Sequence, residues 1–318
     1  MNKLLAILLL GIAGPALSQG AYPSKPVRAI VAFTPGSSTD IVSRIVMAKV
    51  SEYWGQPIVV ENRGGAGGSI GSAAVAQTAP DGYTLLINSN AHSANPALFA
   101  KLPYDTLKDF TDIVPLAIQP NVLVVNADSP YRTVMELVNA AKSKPGSVNW
   151  GHAGIGSGTH LNTERFVAAA KIQVTQVPFK GSPEVFAALF TKDVAVYWSP
   201  ISAAMGHLKS GKLRPLAVST PKRNPTLPEV PTTGEAGVQG ADSPLWFGVW
   251  GPAGVPAEVV AKINADVRKA LAEPSVKERL TAGGNETLDM SPQEFARFVR
   301  SEIETYQNLV RTAGIKPQ

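Results

Sequence analysis

Small polar residues crowd the end of the first apolar run of the chain. Residues 32–40 read AFTPGSSTD, and the residues after them repeat their apolar positions at helical spacing. The free backbone N–H groups and the positive dipole end of a helix N-terminus favour an anion. Ser37, Ser38 and Thr39 add hydroxyl donors without bulk. The alternative is a helix cap and nothing more, because Ser and Thr are preferred caps.

A second loop of the same chemistry lies further along the chain. Residues 152–161 read HAGIGSGTHL, which again follows a strand-like run and leads into a helical pattern. If each loop belongs to its own lobe of the protein, the two would face each other across a cleft. Together they could hold one or two carboxylates with neutral donors. The pair favours anion binding over simple capping.

A third loop, residues 62–71 with the sequence NRGGAGGSIG, invites comparison with dinucleotide-binding turns. The G-x-G-x-x-G pattern fails because Ile70 stands where the third glycine belongs, and no Walker Lys-Ser/Thr follows. We interpret this loop as a tight turn that allows close helix packing, and we expect no cofactor.

Residues for catalysis or metal binding are few. There is no G-x-S-x-G elbow, no cysteine, and no metal-like spacing among the four histidines. Asp40 is either a base or a helix cap, whereas His152 and His160 either orient a ligand or are structural. Tyr197 and Trp198 end a strand where cleft residues would lie, which favours a ligand contact; Trp54, Trp150, Trp246 and Trp250 read as core. We therefore expect a binding protein and not an enzyme.

Composition agrees with a globular protein that binds a small anion. The chain has 318 residues, of which 44% are hydrophobic and 17% charged, and its formal net charge is +5. The basic residues are scattered, whereas a nucleic-acid-binding protein concentrates them on one face or arm. No nucleic-acid partner is expected.

The first residues have the layout of a secretory signal peptide. Lys3 precedes an apolar run from residue 4 to residue 13, and small residues follow Gly14 and Pro15. The run is shorter than the roughly 20 apolar residues that a membrane-spanning helix needs. We expect cleavage after Ser18 and a periplasmic mature protein, away from cytoplasmic NAD and ATP.

Strand-like and helical patterns alternate along most of the chain. The first 90 residues predict a βαβαβ unit, and two strand-like runs around Pro120 predict a crossing into a second α/β lobe. A Pro-rich stretch then leads back, and two C-terminal helices close the chain. The predicted division is a signal peptide (1–18), the first part of lobe I (19–121), lobe II (122–217) and a return to lobe I (218–318).

Several motifs along the chain are distinctive: PGSSTD, GQPIVVENRGGAGGSIG, APDGYTLL, HAGIGSGTHL and WFGVWGPAGVP. With these motifs the chain resembles one family, the substrate-binding proteins of tripartite tricarboxylate transporters, often called the Bug family. The resemblance spans essentially the whole mature chain. It implies a type II periplasmic binding-protein fold, with a mainly parallel sheet in each of two lobes and a cleft between them. It further implies a monomer that delivers a small organic acid to membrane permease subunits.

The resemblance places the ligand on the two polar loops and on the residues after the third strand. The expected ligand-binding residues are Phe33, Thr34, Ser37, Ser38, Thr39, Asp40, Ser89, Asn90, His92, Gly156, Ser157, Gly158, Thr159, His160, Trp198 and Ser199, with no metal ligand and no catalytic residue.

This chain departs from the family pattern at three positions. Ser37 replaces a glycine, Phe179 lacks the usual phenol hydroxyl, and Ser199 stands where many members carry an acidic residue. Without that acid a ligand amino group loses its natural partner. We therefore expect a mono- or dicarboxylate without an amine, with an aromatic acid as one option because of Tyr197 and Trp198. The rival classes are a secreted hydrolase and a ligand sensor for a membrane receptor.

Overall fold

The computed structural model describes residues 22–312 and residue 317, so the predicted signal peptide lies outside the described residues. The strands in this part of the chain are β1 (Val27–Val31), β2 (Ile58–Asn62), β3 (Thr84–Ser89), β4 (Phe110–Gln119), β5 (Asn121–Asn126), β6 (Asn149–His152), β7 (Thr175–Pro178), β8 (Val196–Pro200), β9 (Leu213–Val218), β10 (Leu245–Pro252) and β11 (Glu286–Thr287). The helices are α1 (Ser38–Trp54), α2 (Ser69–Ala76), α3 (Ala91–Leu98), α4 (Val134–Ser143), α5 (Gly158–Ala170), α6 (Ser182–Thr191), α7 (Ile201–Lys209), α8 (Ala257–Ala272), α9 (Pro274–Ala282) and α10 (Pro292–Thr312).

The strands form two separate sheets, each of which defines one lobe. The first lobe is built on a six-stranded sheet in the order β11-β4-β10-β3-β1-β2, and the second on a five-stranded sheet in the order β7-β6-β8-β5-β9. Only Pro120 separates β4 of the first sheet from β5 of the second. The predicted two-lobe α/β fold is confirmed, while the lobe boundaries stay predictions.

The expectation of mainly parallel sheets is wrong, because both sheets are mixed. β1 pairs in parallel with β2 and β3, as a βαβαβ unit requires. In contrast, β10 pairs antiparallel with both β3 and β4, and β5 pairs antiparallel with both β8 and β9. The antiparallel strands belong to the segments of chain that cross between the lobes. These segments enter a sheet without the helical crossover connection that parallel pairing needs.

Each lobe has its own buried core. In the first lobe, Trp246 and Trp250 pack with Phe295 of α10, and both indoles are at most 2% exposed. In the second, Trp150 packs beside Phe166 of α5. The core assignment is confirmed for these three tryptophans, and the partly buried Trp54 packs against the first core.

Four elements have no counterpart among the predicted ones: α3, α9, β10 and β11. The sequence of α3, AHSANPAL, contains a proline and no clear apolar stripe. This helix is stabilised by burial, since Ala94 and Leu98 pack against Leu161 of α5 and Tyr306 of α10. The short helix α9 makes three C-terminal helices where two were expected. β10 reads as a continuous apolar run because it is a central strand, buried along its whole length.

Candidate functional site

The two polar loops meet in the structure and enclose a small cavity between the lobes. The cavity has a volume of about 20 Å³. Of the expected site residues, Phe33, Ser37, Ser38, Thr39, Ser89, Ser157, Gly158 and Thr159 line it. The remaining lining residues are Ala153, Ser182, Pro200 and Leu245, none of which was predicted.

Several helix N-termini converge on this cavity. Helices α1, α5 and α6 begin at Ser38, Gly158 and Ser182, which all line it, and α7 begins directly after Pro200. Ser37 and Ser157 are the N-caps of α1 and α5, and each accepts a hydrogen bond from the third residue beyond it, at 3.4 and 3.2 Å. None of the lining residues carries a charged side chain. The cavity is therefore electropositive through backbone dipoles alone, which suits a small anion.

Hydroxyl groups of the second lobe form an ordered set around the cavity. Thr159 Oγ1 accepts a hydrogen bond from the Ala153 N–H at 2.9 Å and lies 3.0 Å from Ser157 Oγ. Ser182 Oγ lies 2.8 Å from the hydroxyl of the fully buried Tyr197. Burial raises the pKa of Tyr197, so its hydroxyl stays protonated. These groups can rotate to donate to a carboxylate.

Asp40 shapes the first loop and does not line the cavity. Its carboxylate accepts from the Gly36 N–H at 2.9 Å, from Arg44 Nε at 2.8 Å and from Asn62 Nδ2 at 2.9 Å. These bonds hold the loop at residues 32–40 against the first turn of α1. The structure favours the capping role for Asp40, because its oxygens are already engaged by three donors.

Two expected ligand contacts, His92 and Trp198, do not line the cavity, and both side chains pack against aromatic rings in the interior of a lobe. The His92 ring is fully buried, with its centroid 4.6 Å from the ring centroids of Phe110 and Trp250. Burial lowers its pKa to about 3, so the ring is neutral. Trp198 is also fully buried and contacts Phe166 edge-on at 5.7 Å. For Trp198 on β8, strand pleating decides this outcome, since successive side chains point to opposite faces of the sheet. His92 lies on α3, and the packing of that helix places its ring beside Phe110 and Trp250.

His152 and His160 lie behind the second loop and not in the cavity lining. His160 Nδ1 accepts a hydrogen bond from the Gly156 N–H at 3.3 Å, while its Nε2 lies 3.5 Å from Glu164 Oε1. Burial and the adjacent His160 lower the pKa of His152 to about 3. Burial alone would raise the pKa of Glu164, but hydrogen bonds from His160 and Gln176 hold it below its usual value. The arrangement supports the structural role for both histidines: they hold the loop in shape.

The other expected residues lie near the cavity without lining it. Thr34, Asn90 and Gly156 stand where one lobe contacts the other. The Ser199 hydroxyl donates to the Pro200 carbonyl oxygen at 3.0 Å. Among the missed residues, Ser182 follows a strand and opens a helix, so the pattern of the two recognised loops could have found it. Leu245 carries no such signal, because only the packing of β10 places it at the cleft.

Residues 22–312 lack the features of a metal site and of a membrane-spanning helix. This part of the chain has no cluster of three or more His, Cys, Asp or Glu suited to a metal ion. None of its helices combines the length and apolarity needed to cross a membrane.

Comparison with known proteins assigns the family. The family model described as the tripartite tricarboxylate transporter family receptor matches residues 42–315. The chain belongs to this receptor family. The receptor is 33% identical to the protein BugT of Bordetella pertussis over 323 residues, which covers 99% of each chain. The resemblance seen in the motifs is thereby confirmed.

Solved structures agree in fold as well as in sequence. An R. palustris protein solved with adipate is 36% identical, with a TM-score of 0.90 over 93% of the receptor and 100% of that chain. MatC of Rhodopseudomonas palustris, solved with bound malate, is 34% identical, with a TM-score of 0.87 over 91% of the receptor and 100% of MatC. The family and these neighbours are binding proteins and not enzymes. Membership in a periplasmic binding-protein family implies a periplasmic location.

Proposed function

We propose that the receptor captures a small organic mono- or dicarboxylate without an amino group and delivers it to the permease of a tripartite tricarboxylate transporter. The observation that carries this proposal is the cavity between the lobes on which the N-termini of α1, α5 and α6 converge. Solved relatives that hold adipate and malate support a carboxylate as the ligand class.

Charge decides against an amino group on the ligand. An ammonium placed in the cavity would face the positive ends of helix dipoles, and none of the lining residues carries a carboxylate. A buried charge without a partner costs several kcal/mol, by order of magnitude. Asp40 does not offset this, because it is already paired with Arg44.

The lining of the cavity indicates the kind of carbon skeleton that it suits. The cavity has a volume of about 20 Å³, far below the roughly 300–1,000 Å³ of typical small-molecule sites, so its size does not discriminate among acids. Phe33, Pro200 and Leu245 give it apolar walls that suit a short carbon chain. Tyr197 and Trp198, the reason for expecting an aromatic acid, are fully buried and outside the lining. An aliphatic acid is therefore the better fit.

The proposed path to the site begins with export. The N-terminal segment has the layout of a signal peptide, with cleavage proposed after Ser18, and the mature receptor is proposed to act as a monomer. A sensor would use the same cavity and closure and would differ only in the membrane partner that reads it. For a hydrolase we find no supporting pair of nucleophile and base, since no histidine lines the cavity.

The test is a thermal-shift screen of the chain from Gln19, followed by calorimetry on the acids that respond. The panel holds citrate, C4–C6 dicarboxylates, aromatic acids and amino acids. A ligand at 100 times its dissociation constant stabilises by about 2.7 kcal/mol, which is enough to shift the melting temperature visibly.

Malate and aspartate are the decisive pair, because they differ only in a hydroxyl in place of an ammonium. We expect the hydroxy acid or its unsubstituted analogue succinate to bind, and aspartate to bind more weakly. Ser38→Ala should weaken binding, whereas Ser301→Ala, at an exposed serine of α10, should not. Tighter binding of aspartate than of both other acids would contradict the proposed ligand chemistry.

A further inference from the structure

We propose that the glycine-rich turn at residues 64–68 is the first-lobe surface that receives the anion-binding loop when the lobes close. In this proposal Gly67 is a positioning residue that sets ligand affinity without touching the ligand. The inference rests on the proposed carboxylate-binding function. It gives a role to the one glycine-rich motif that neither the cavity nor a cofactor explains.

The contact between this turn and the second lobe is made backbone to backbone. A Cβ added at Gly67 would lie 2.0 Å from the carbonyl oxygen of Ile155 and 3.0 Å from its carbonyl carbon. From the other side, a Cβ added at Gly154 would lie 3.1 Å from the Gly67 nitrogen. Because the opposing atoms are backbone, no side-chain rotation can make room. Any side chain at position 67 therefore conflicts with the closed arrangement.

Neighbouring glycines of the turn have a different explanation. A Cβ at Gly68 would crowd the side-chain amide of Asn88, and one at Gly71 would crowd Ala32 directly after β1; both neighbours lie in the same lobe. These two positions fit the expectation of close helix packing. Gly67 does not, since its closest neighbour belongs to the other lobe.

The contact surface between the two lobes continues along α3. Cβ atoms at Gly156 and Gly158 would lie 2.3 Å from Asn95 Oδ1 and 2.5 Å from Asn90 Oδ1. Asn95 also donates through Nδ2 to the Gly67 carbonyl oxygen at 3.2 Å, so α3 and the turn form one surface. This first-lobe surface meets a loop whose Ser157, Gly158 and Thr159 line the cavity.

Closure therefore couples the turn to the ligand. The anion-binding loop reaches its position at the cavity only when the Ile155 backbone packs directly against Gly67. Apparent affinity falls in proportion to the fraction of molecules able to adopt the binding-competent state. A side chain at position 67 should lower that fraction while leaving each lobe folded.

The experiment compares Gly67→Ala with a matched control, Gly55→Ala. The two glycines have nearly the same backbone conformation, with φ of 58° and 60°. A Cβ at Gly55 meets nothing within 4 Å, whereas one at Gly67 meets Ile155. Both variants carry the same left-handed backbone penalty, and only one obstructs closure. The pair Gly67→Asn and Gly55→Asn repeats the comparison with a residue that tolerates this conformation.

Affinity is measured by calorimetry with the panel acid that binds the wild type, and closure by the distance between two spin labels. The chain contains no cysteine, so Lys142→Cys on α4 and Glu278→Cys on α9 label one site in each lobe. We expect the Gly67 variants to bind about tenfold or more weakly than the wild type and to shift towards longer distances. The Gly55 variants should match the wild type in both readouts despite a similar drop in melting temperature.

Failure of this proposal is distinguishable from failure of the proposed function. If no acid binds the wild type, the label distances in the ligand-free chain still test whether the turn at residues 64–68 contacts the second lobe. Equal affinity and equal distances in the Gly67 and Gly55 variants would overturn the positioning role even if carboxylate binding stands. A wild type that shows only the long distance, with and without acids, would overturn it as well.

Discussion

The charged form of Asp112 is destabilised by the partial burial of its carboxylate. It lies on β4, and its Oδ1 accepts a hydrogen bond from Trp250 Nε1 at 2.8 Å. Burial raises its pKa to about 6, although Trp250 and Arg300 act in the opposite direction. Because an unfolded aspartate titrates near 3.9, the folded state binds more protons between about pH 4 and pH 6. The free energy of unfolding should therefore fall as pH rises through this window.

Asp112→Asn should stabilise the receptor at neutral pH. The amide oxygen can still accept from Trp250, and the buried charge is gone. A pKa shift of about two units corresponds to about 3 kcal/mol at most at pH 7.5, and to almost nothing at pH 4. Urea unfolding at both pH values measures the difference between variant and wild type.

The control is Asp266→Asn, which makes the same chemical change at another aspartate that accepts from an indole. Asp266 Oδ2 accepts from Trp54 Nε1 at 2.7 Å and from Lys262 Nζ at 2.9 Å. Its substitution removes an ion pair, so it should give no gain in stability. A gain for Asp112→Asn that is equal at pH 4 and pH 7.5 would contradict the titration argument.

At the scale of elements, helix caps serve two different purposes in the second lobe. Thr133 caps α4 in a capping box with Glu136, with both hydrogen bonds at 3.2 Å, and takes no part in the cavity. Ser157 caps α5 and also lines the cavity beside Thr159. One cap therefore supports a helix only, and the other supports a helix and the proposed anion site together.

Ser157→Ala and Thr133→Ala should separate stability from binding. Loss of either cap should cost about 1 kcal/mol in the free energy of unfolding. Only Ser157→Ala also removes a hydroxyl at the anion site, where a hydrogen bond to a charged group contributes about 1.5–3 kcal/mol. Acid binding should then weaken about tenfold or more for Ser157→Ala alone. Calorimetry and urea unfolding on both variants check this, and equal affinities would exclude Ser157 from the site.

At the scale of the whole molecule, the lobes also share apolar contacts. Leu161 of α5 is fully buried against α3 and α10 of the first lobe, in a cluster with Ala94, Leu98 and Val310. The Tyr306 hydroxyl of α10 accepts from Asn90 Nδ2 at 2.7 Å, which fixes the end of β3 beside this cluster. The contact between the lobes therefore buries apolar surface beside the cavity.

Leu161→Ala should weaken ligand binding more than it lowers the stability of each lobe. The other buried members of its cluster all belong to the first lobe, so loss of the Leu161 side chain should act on the contact between the lobes. Leu137→Ala, at a fully buried leucine of α4 within the second core, should do the reverse: a loss of about 2–5 kcal/mol in stability with affinity unchanged. Melting curves and calorimetry on both variants give the comparison, and the same pattern in both would refute a role for Leu161 in closure.

The local sequence was sufficient for the features that depend on neighbouring residues. The turns at residues 32–40 and 152–161 are visible as polar loops that open helices, because caps and glycine turns follow short-range rules. The alternation of strand and helix patterns predicted two α/β lobes. Motifs along the chain were enough to indicate the family.

Only the tertiary structure decided what lies opposite each of these features. His92 and Trp198 follow the same local pattern as true cavity residues, yet strand pleating and helix packing turn them into the cores. Leu245 reaches the cavity because β10 returns to the first sheet from far along the chain. Gly67 gains its meaning from Ile155, a residue of the other lobe. Contacts of this kind depend on how the two lobes pack against each other. They join residues far apart in the sequence, so the composition or spacing of one segment does not predict them.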